Sequence, residues 1–281
     1  MLETLNDDAF ADQPPAQVHA ILLDAGIYLC SVRTMYRILE ENQQVRERRD
    51  VLRHPNYSKP ELLATAPNQV WSWDITKLKG PVKYSYFYLY VILDIFSRYV
   101  VGWMLAGRES KVLAQRLIAQ TCEKQNIATG QLTIHADRGA AMIAKTTAQL
   151  LADLGVCESH SRPHVSNDNP MSESQFKTLK YRPEFPDRFG SQQHALEVCR
   201  HLFAWYNTEH HHSALSFLTP EDVHYGRAAT ILAERQCVLD EAFAKNPQRF
   251  VRARPRPLQL PDAVWINPPT KEVLESVIDT H

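Results

Sequence analysis

The sequence has no cysteine pair of the CxxC type. Its five cysteines, at 30, 122, 157, 199 and 237, are too scattered to suggest a zinc site or a disulfide framework. A reducing, cytoplasmic setting fits that pattern. Long apolar runs are missing too: the longest, Tyr86 to Leu93, stops at Asp94, far short of the ~20 residues that span a bilayer. The acidic start MLETLNDDAFADQ lacks the cationic and then apolar order of a signal peptide, so secretion and membrane insertion are not expected. Nor is there an excess of either charge. With a net charge of −1 over 281 residues, any contact with nucleic acid must come from local patches. Two basic stretches are available, Arg46, Arg48, Arg49, Arg53 and Lys245, Arg249, Arg252, Arg254, Arg256, each equally readable as a solvated charge run.

What is present is an ordinary globular balance, 44% hydrophobic and 22% charged, which argues against wholesale disorder. Residues 15–42 read as two helices. PAQVHAILLDAG places Val18, Ile21 and Leu22 on one face and ends at Gly26; Ser31 can cap a second helix with Val32, Met35, Tyr36 and Leu39 together. The pair resembles a helix-turn-helix, in which Arg33 and Arg37 of the second helix would face DNA. An ordinary helical hairpin gives the same pattern, and nine acids against five arginines in the first 50 residues weigh against DNA reading. We divide the chain into this segment (1–50), a Pro-rich polar linker (51–66), a core (67–226), and a C-terminal helix with a Pro/Arg-rich tail (227–281).

The core opens with β signals over Val70–Leu78, residues 84–94 and the YVVGWML stretch, predicting an antiparallel meander. An amphipathic helix over 111–124, a short strand over 132–136, a helix over 141–154 and a strand over 156–159 follow. After the loop SRPHVSNDN, Asn169 can cap a helix whose first residue is Pro170. Further helices are predicted over 192–206 and 228–244, and the tail shows no regular period. Antiparallel strands followed by alternating helix and strand imply an α/β mixed sheet with flanking helices.

Three carboxylates stand out by position. Asp74 lies inside a strand among Trp71, Trp73 and Ile75, where an unpaired charge is costly. Asp137 sits just past a second strand, next to a turn at Gly139, and Glu173 lies in the first turn of a helix, with 35 residues between the two. Such an all-oxygen set suits Mg²⁺ or Mn²⁺, and two such ions can promote in-line phosphoryl transfer with no covalent enzyme nucleophile. Lys177 and Lys180, at i+4 and i+7 from Glu173, share its helical face and could meet DNA phosphates, while Phe176 and Leu179 turn to the core; a solvent-facing ion pair is the plainer alternative. His135 and Asn169 are accessory candidates, the first beside Asp137 and the second shaping the entry to the Glu173 helix. Asp94 reads as a turn former beside Ser97, Asp168 as a lesser candidate than Glu173, and His210, His211 and His212 as a polar loop rather than a zinc site.

The ordered blocks WSWDIT, YVILDIFSRYVVGW, HADRG, VSNDNPMSESQFKTLK and WYNTEHHHSALSFLTPEDV, over roughly 65–225, resemble those of insertion-sequence transposases with a retroviral-integrase-like core. In HADRG, Ala136 replaces the serine common in that family's block. The resemblance implies a ribonuclease H-like fold, with Asp74, Asp137 and Glu173 as an Asp-Asp-Glu triad holding two Mg²⁺ or Mn²⁺ ions. It further implies DNA strand cleavage and strand transfer at insertion-sequence ends, with transposon-end and target DNA as partners, and a homo-oligomer working on paired ends. This chain begins within the helical region that precedes the core in that family, so an upstream-frame transposase subunit is an expected partner. A non-catalytic DNA-binding regulator and a ribonuclease H-like nuclease are the competing expectations.

Overall fold

The structure, a computed structural model, describes residues 1–7, 9–11, 13–45, 59–137, 139, 145–162, 168–251 and 253–269. The Arg46–Arg53 patch, Arg138, Asn167 and Arg252 lie outside them. Two compact units are present, Met1–Asn56 and Tyr57–His281.

The first unit holds α1 (Leu2–Asn6), α2 (Pro15–Asp24) and α3 (Val32–Glu41). Both predicted helices form. Gly26 takes φ +76°, which lets Ile27 N–H reach back to the Leu22 carbonyl at 2.8 Å and close α2. Ser31 Oγ accepts the Thr34 amide at 3.3 Å and starts α3. Leu5, Val18, Leu22, Met35 and Leu39 make the core. Two apolar positions differ from expectation: Ile21 and Tyr36 face solvent, because α1, which the sequence reading passed over, covers a narrower stripe.

The second unit is built on a five-stranded sheet of β2 (Val70–Lys79), β3 (Tyr86–Asp94), β4 (Val100–Ala106), β5 (Thr133–Ala136) and β6 (Cys157–His160). Its order is β4-β3-β2-β5-β6. The meander β2-β3-β4 is antiparallel, whereas β5 and β6 run parallel to β2 after helical crossovers. Counting only these five, the order is 3-2-1-4-5 with the second strand reversed, the ribonuclease H-like arrangement.

Both sheet faces are covered, so alternate strand residues enter different cores. On one face Trp71, Trp73, Tyr90 and Ile92 pack under α4 (Lys111–Lys124) and α5 (Lys145–Asp153). On the other, Leu78, Leu89, Val91 and Leu93 meet α6 (Pro170–Lys180) and α7 (Gln192–Thr208) through Phe176, Leu179, Leu202 and Phe203. The α4 contact is tight at Gly102, where a β-carbon would lie 2.2 Å from Thr121 Oγ1. That hydroxyl is held by the Leu117 carbonyl at 2.7 Å and cannot swing away freely. Gly102→Ala should therefore destabilise the fold by about 1–3 kcal/mol, read as a lower midpoint in urea; an unchanged midpoint would mean that α4 slides at no cost.

A short helix, α8 (Pro220–His224), and a long one, α9 (Ala228–Lys245), follow α7. The chain then returns to the core. The tail strand β7 (Val264–Ile266) pairs antiparallel with β1 (Leu62–Ala64), in the stretch read from sequence as linker. Val264 and Ile266 are buried with Ala64, Val70 and Ile95, and Met171 of α6 packs against the same cluster. The tail is thus part of the core unit rather than an aperiodic appendage. Among the described residues no helix is long and apolar enough to cross a membrane.

Candidate active site

Asp74 lies mid-strand in β2. Its neighbours Trp71, Trp73 and Ile75 do not surround it, since Trp71, Trp73 and Ile75 belong to the α4/α5 face. Ser72, Asp74 and Thr76 instead alternate onto the α6 face, where Ser72 bonds to Asn169 and Ser172, and Thr76 receives the Lys180 ammonium at 2.5 Å. β2 and β5 are paired in parallel, with Ser72 opposite His135 and Trp73 opposite Ala136. Asp137 follows one residue past this pairing, close enough for its charge to act on Asp74. Glu173 comes from the first turn of α6, the helix that Ser72 holds down.

The electrostatics agree with this convergence. Burial pushes the Asp74 carboxyl up to about 7, and the charges of Asp137 and Glu173 push it in the same direction; the Ile75 amide, at 2.7 Å, and Lys180 oppose them. Three acids from three elements thus share one field. Lys180 is held below its ordinary range by desolvation, partly offset by Asp74. Lys177 is exposed on the same helix, and Phe176 and Leu179 are buried, as the helical spacing predicts.

Several residues around the acids escaped the sequence reading. Ser161, just past β6, donates to Asp137 Oδ1 at 2.6 Å. Ser72 and Ser172 are buried and 2.5 Å apart, one at β2 and one on α6. The period-2 alternation of Ser72 with Asp74 was a usable signal for the first; nothing local marks Ser161 or Ser172.

Asn169 precedes α6 as expected, but its side chain caps no helix N–H. Its Oδ1 accepts from Ser72 Oγ at 2.5 Å, and it is buried between β2 and α6. His135 is wholly buried, its Nδ1 3.1 Å from Ser159 Oγ and its Nε2 2.8 Å from the Asp168 carbonyl. Burial depresses its basicity, and the ring joins β5, β6 and the α6 entry. Both accessory candidates hydrogen-bond across the elements that carry or flank the three acids.

Asp168 is saturated. Its Oδ2 accepts the Arg162 amide and Nε at 2.9 Å each, and its Oδ1 accepts Arg162 Nη2 at 3.0 Å and Asn267 Nδ2 at 2.8 Å. Asp94 is likewise consumed, by the Asn68 amide and by the amide and hydroxyl of Ser97, all at 2.7 Å, as a turn former should be. Asp168 therefore has no spare lone pair for a ligand set and Asp94 is committed to its turn, while Glu173 is the acid within α6 itself. The histidine run forms a turn, with His211 Nδ1 donating to the Phe217 carbonyl at 2.9 Å and His210 stacked on Tyr206.

Arg33 is exposed on α3, and Arg37 lies 3.7 Å from Glu41 in an exposed i,i+4 pair. They are in the first compact unit, whereas the carboxylates are in the second. In the tail, Arg254 is held by Asp240 at 2.9 Å and Lys245 lies 4.0 Å from Glu241.

Two family profiles described as integrase core domain match residues 64–166 and 154–220. The transposase for insertion sequence element IS904 of Lactococcus lactis subsp. lactis is 34% identical over 172 residues, covering 61% of this chain and 67% of that protein. The chain belongs to the insertion-sequence transposases with an integrase core. Transposase InsF for insertion sequence IS3A of Escherichia coli is 28% identical over 167 residues, covering 59% of this chain and 57% of that protein. Among solved structures, the HTLV-2 integrase catalytic core domain in complex with magnesium aligns at 18% identity and a TM-score of 0.39, over 57% of this chain and 97% of that one. A simian T-cell lymphotropic virus intasome chain aligns at 16% identity and a TM-score of 0.46, over 75% and 74%. Within the transposase family's integrase core, the three acids fall in both matched segments: Asp74 and Asp137 in the first, Glu173 in the second.

Proposed function

We propose that this chain cuts and joins DNA strands at insertion-sequence ends, with Asp74, Asp137 and Glu173 as the carboxylates that hold two Mg²⁺ or Mn²⁺ ions. The observation that carries this reading is that the charges of Asp137, just past β5, and Glu173, in α6, both act on Asp74 of β2 in an integrase-core chain. Among the described residues no three His, Cys, Asp or Glu side chains are closed into a metal cage. The donor chemistry nonetheless fits: the converging ligands are oxygens, which hard divalent cations prefer, and their mutual repulsion is what a cation would relieve. Bound there, the ions would activate the attacking oxygen and stabilise the leaving oxygen of an in-line displacement.

The remaining work falls to side chains of this chain. Ser161 orients Asp137 by donating to one carboxylate oxygen, leaving the other available. Lys180 sits beside Asp74, tethered to Thr76, where it can neutralise a phosphate near the reacting bond, and Lys177 extends the positive face of α6 into solvent toward the backbone of bound DNA. Arg33 and Arg37 would serve end recognition from the first unit, with the chain working as a multimer on paired transposon ends and target DNA. An upstream-frame transposase subunit is a further partner in this reading.

The test is a labelled duplex carrying the element's own terminal repeat, incubated with the full chain and Mn²⁺. The expected result is cleavage and joining that a chelator stops. Cutting of an RNA–DNA hybrid without joining would replace the reading with a nuclease. Repeat-specific binding without cutting would replace it with a regulator.

A further inference from the structure

Beneath the acids, Asp168 is a junction. Its carbonyl is within 2.8 Å of His135 Nε2 on β5, and its carboxylate binds Arg162, just past β6, and Asn267, in the tail. It is fully buried and stands two residues before α6 begins. The tail arrives there by construction: β7 pairs with β1, Ile266 opposite Leu62, and Asn267 follows at once with φ +54°, a left-handed conformation that asparagine tolerates better than most residues. That turn brings its amide onto Asp168 Oδ1. A second contact is apolar, with Met171 in the first turn of α6 packed against the cluster that holds Val264 and Ile266.

We propose that the β7–Asn267 segment is a C-terminal strap that positions the first turn of α6, and Glu173 with it, for strand transfer. Asn267 is the positioning residue at its end. The proposal rests on the reading of Glu173 as a site carboxylate. Glu173 lies five residues after Asp168 and two after Met171, so the strap grips the helix on the turn that carries the acid, from the side away from solvent. Positioning at this level matters because partners that orient ligand side chains commonly change metal affinity by about 10–100-fold when removed. Displacement of a reacting group by about 1 Å can cost about 10²-fold in rate.

The experiment uses the full chain carrying Asn267→Gly, which deletes the amide while accepting the positive φ, with Asn267→Ala as a second variant. Two quantities are read: amide hydrogen exchange over 168–176, and the Mn²⁺ concentration giving half-maximal cleavage of the terminal-repeat duplex. The expected result is faster exchange in the first turn of α6 and about tenfold more Mn²⁺ for half-maximal cleavage, with the rate regained at saturating Mn²⁺ and DNA affinity unchanged. Unaltered exchange overturns the strap, whatever the activity. So does a loss that Mn²⁺ does not restore and that tracks a lower unfolding midpoint, since that marks a general structural role. If the parent chain itself cuts nothing, the strand-transfer reading has failed separately, and the exchange comparison still decides whether the strap holds α6.

Discussion

Asp74→Asn is expected to abolish cleavage and joining, by about 10³-fold or more, while making the metal-free fold more stable above pH 7. The first part follows from the role of the carboxylate: losing one anionic ligand removes several kcal/mol of charge stabilisation in the transition state, and each ~1.4 kcal/mol is tenfold in rate. The second part follows from the cost of keeping Asp74 charged. Its carboxyl is raised from 3.8 to about 7, first by burial and then by Asp137 and Glu173. The native state therefore holds a proton that the unfolded chain releases between about pH 4 and pH 7, so Asp74 makes stability fall as pH rises through that window. Above it the full penalty applies. Asparagine has no charge to desolvate, so the variant should gain on the order of 2 kcal/mol at pH 8, allowing for partial solvent access to this half-buried side chain. Urea unfolding with chelator present, at pH 3.5 and pH 8, measures it: the two proteins should nearly match at the lower pH and separate at the higher. Equal stability at both would mean that Asp74 is not electrostatically stressed, and full activity would remove it from the ligand set.

The opposite signs of these two effects distinguish a functional acid from a structural one, and that distinction was only partly legible in the sequence. The sheet and most helices could be read because each has a buried face with a clear period; β2, β3 and β4 end within two residues of where the pattern puts them. Asp74 could be singled out because an unpaired charge inside a strand is costly. Asp137, past a strand end, and Glu173, in the first turn of a helix, occupy ordinary places for acids, and reading the three as a set rests on the family resemblance. Their surroundings were not legible. Trp71, Trp73 and Ile75 made Asp74 look enclosed by aromatics, yet strand alternation sends those three into the opposite core. The links that set the α6 entry join residues 72, 135, 162, 168 and 267, and separations of that size leave no local pattern. The same holds for β1 and β7, three residues each, too short for alternation to be distinguished from loop.

Asp168→Ala should be the most damaging single change outside the carboxylate trio, and its damage should appear first as lost stability. Asp168 is completely buried and its carboxylate accepts four hydrogen bonds, three from Arg162 and one from Asn267. Alanine would leave the Arg162 guanidinium and the Asn267 amide without their acceptor at the entry to α6, and the expected result is a lower unfolding midpoint in urea. Arg162→Ala, leaving the buried carboxylate without its cation, should lower the midpoint as well. The pH response has the reverse sign to that of Asp74. The Arg162 guanidinium, with help from Asn267, holds the Asp168 carboxyl down at about 2. In the unfolded chain it returns to about 3.8, so stability contributed by this group is complete above about pH 4 and is lost as pH falls toward 2. The parent chain should therefore lose stability between pH 4 and pH 2 more steeply than Asp168→Asn, which cannot titrate. Because α6 is seated on this junction, Asp168→Asn should also need more Mn²⁺ for half-maximal cleavage, whereas Asp74→Asn should not be rescued at any metal concentration. A parent and an Asp168→Asn variant with the same acid limb would mean that the Arg162 pair is not what holds the α6 entry in place.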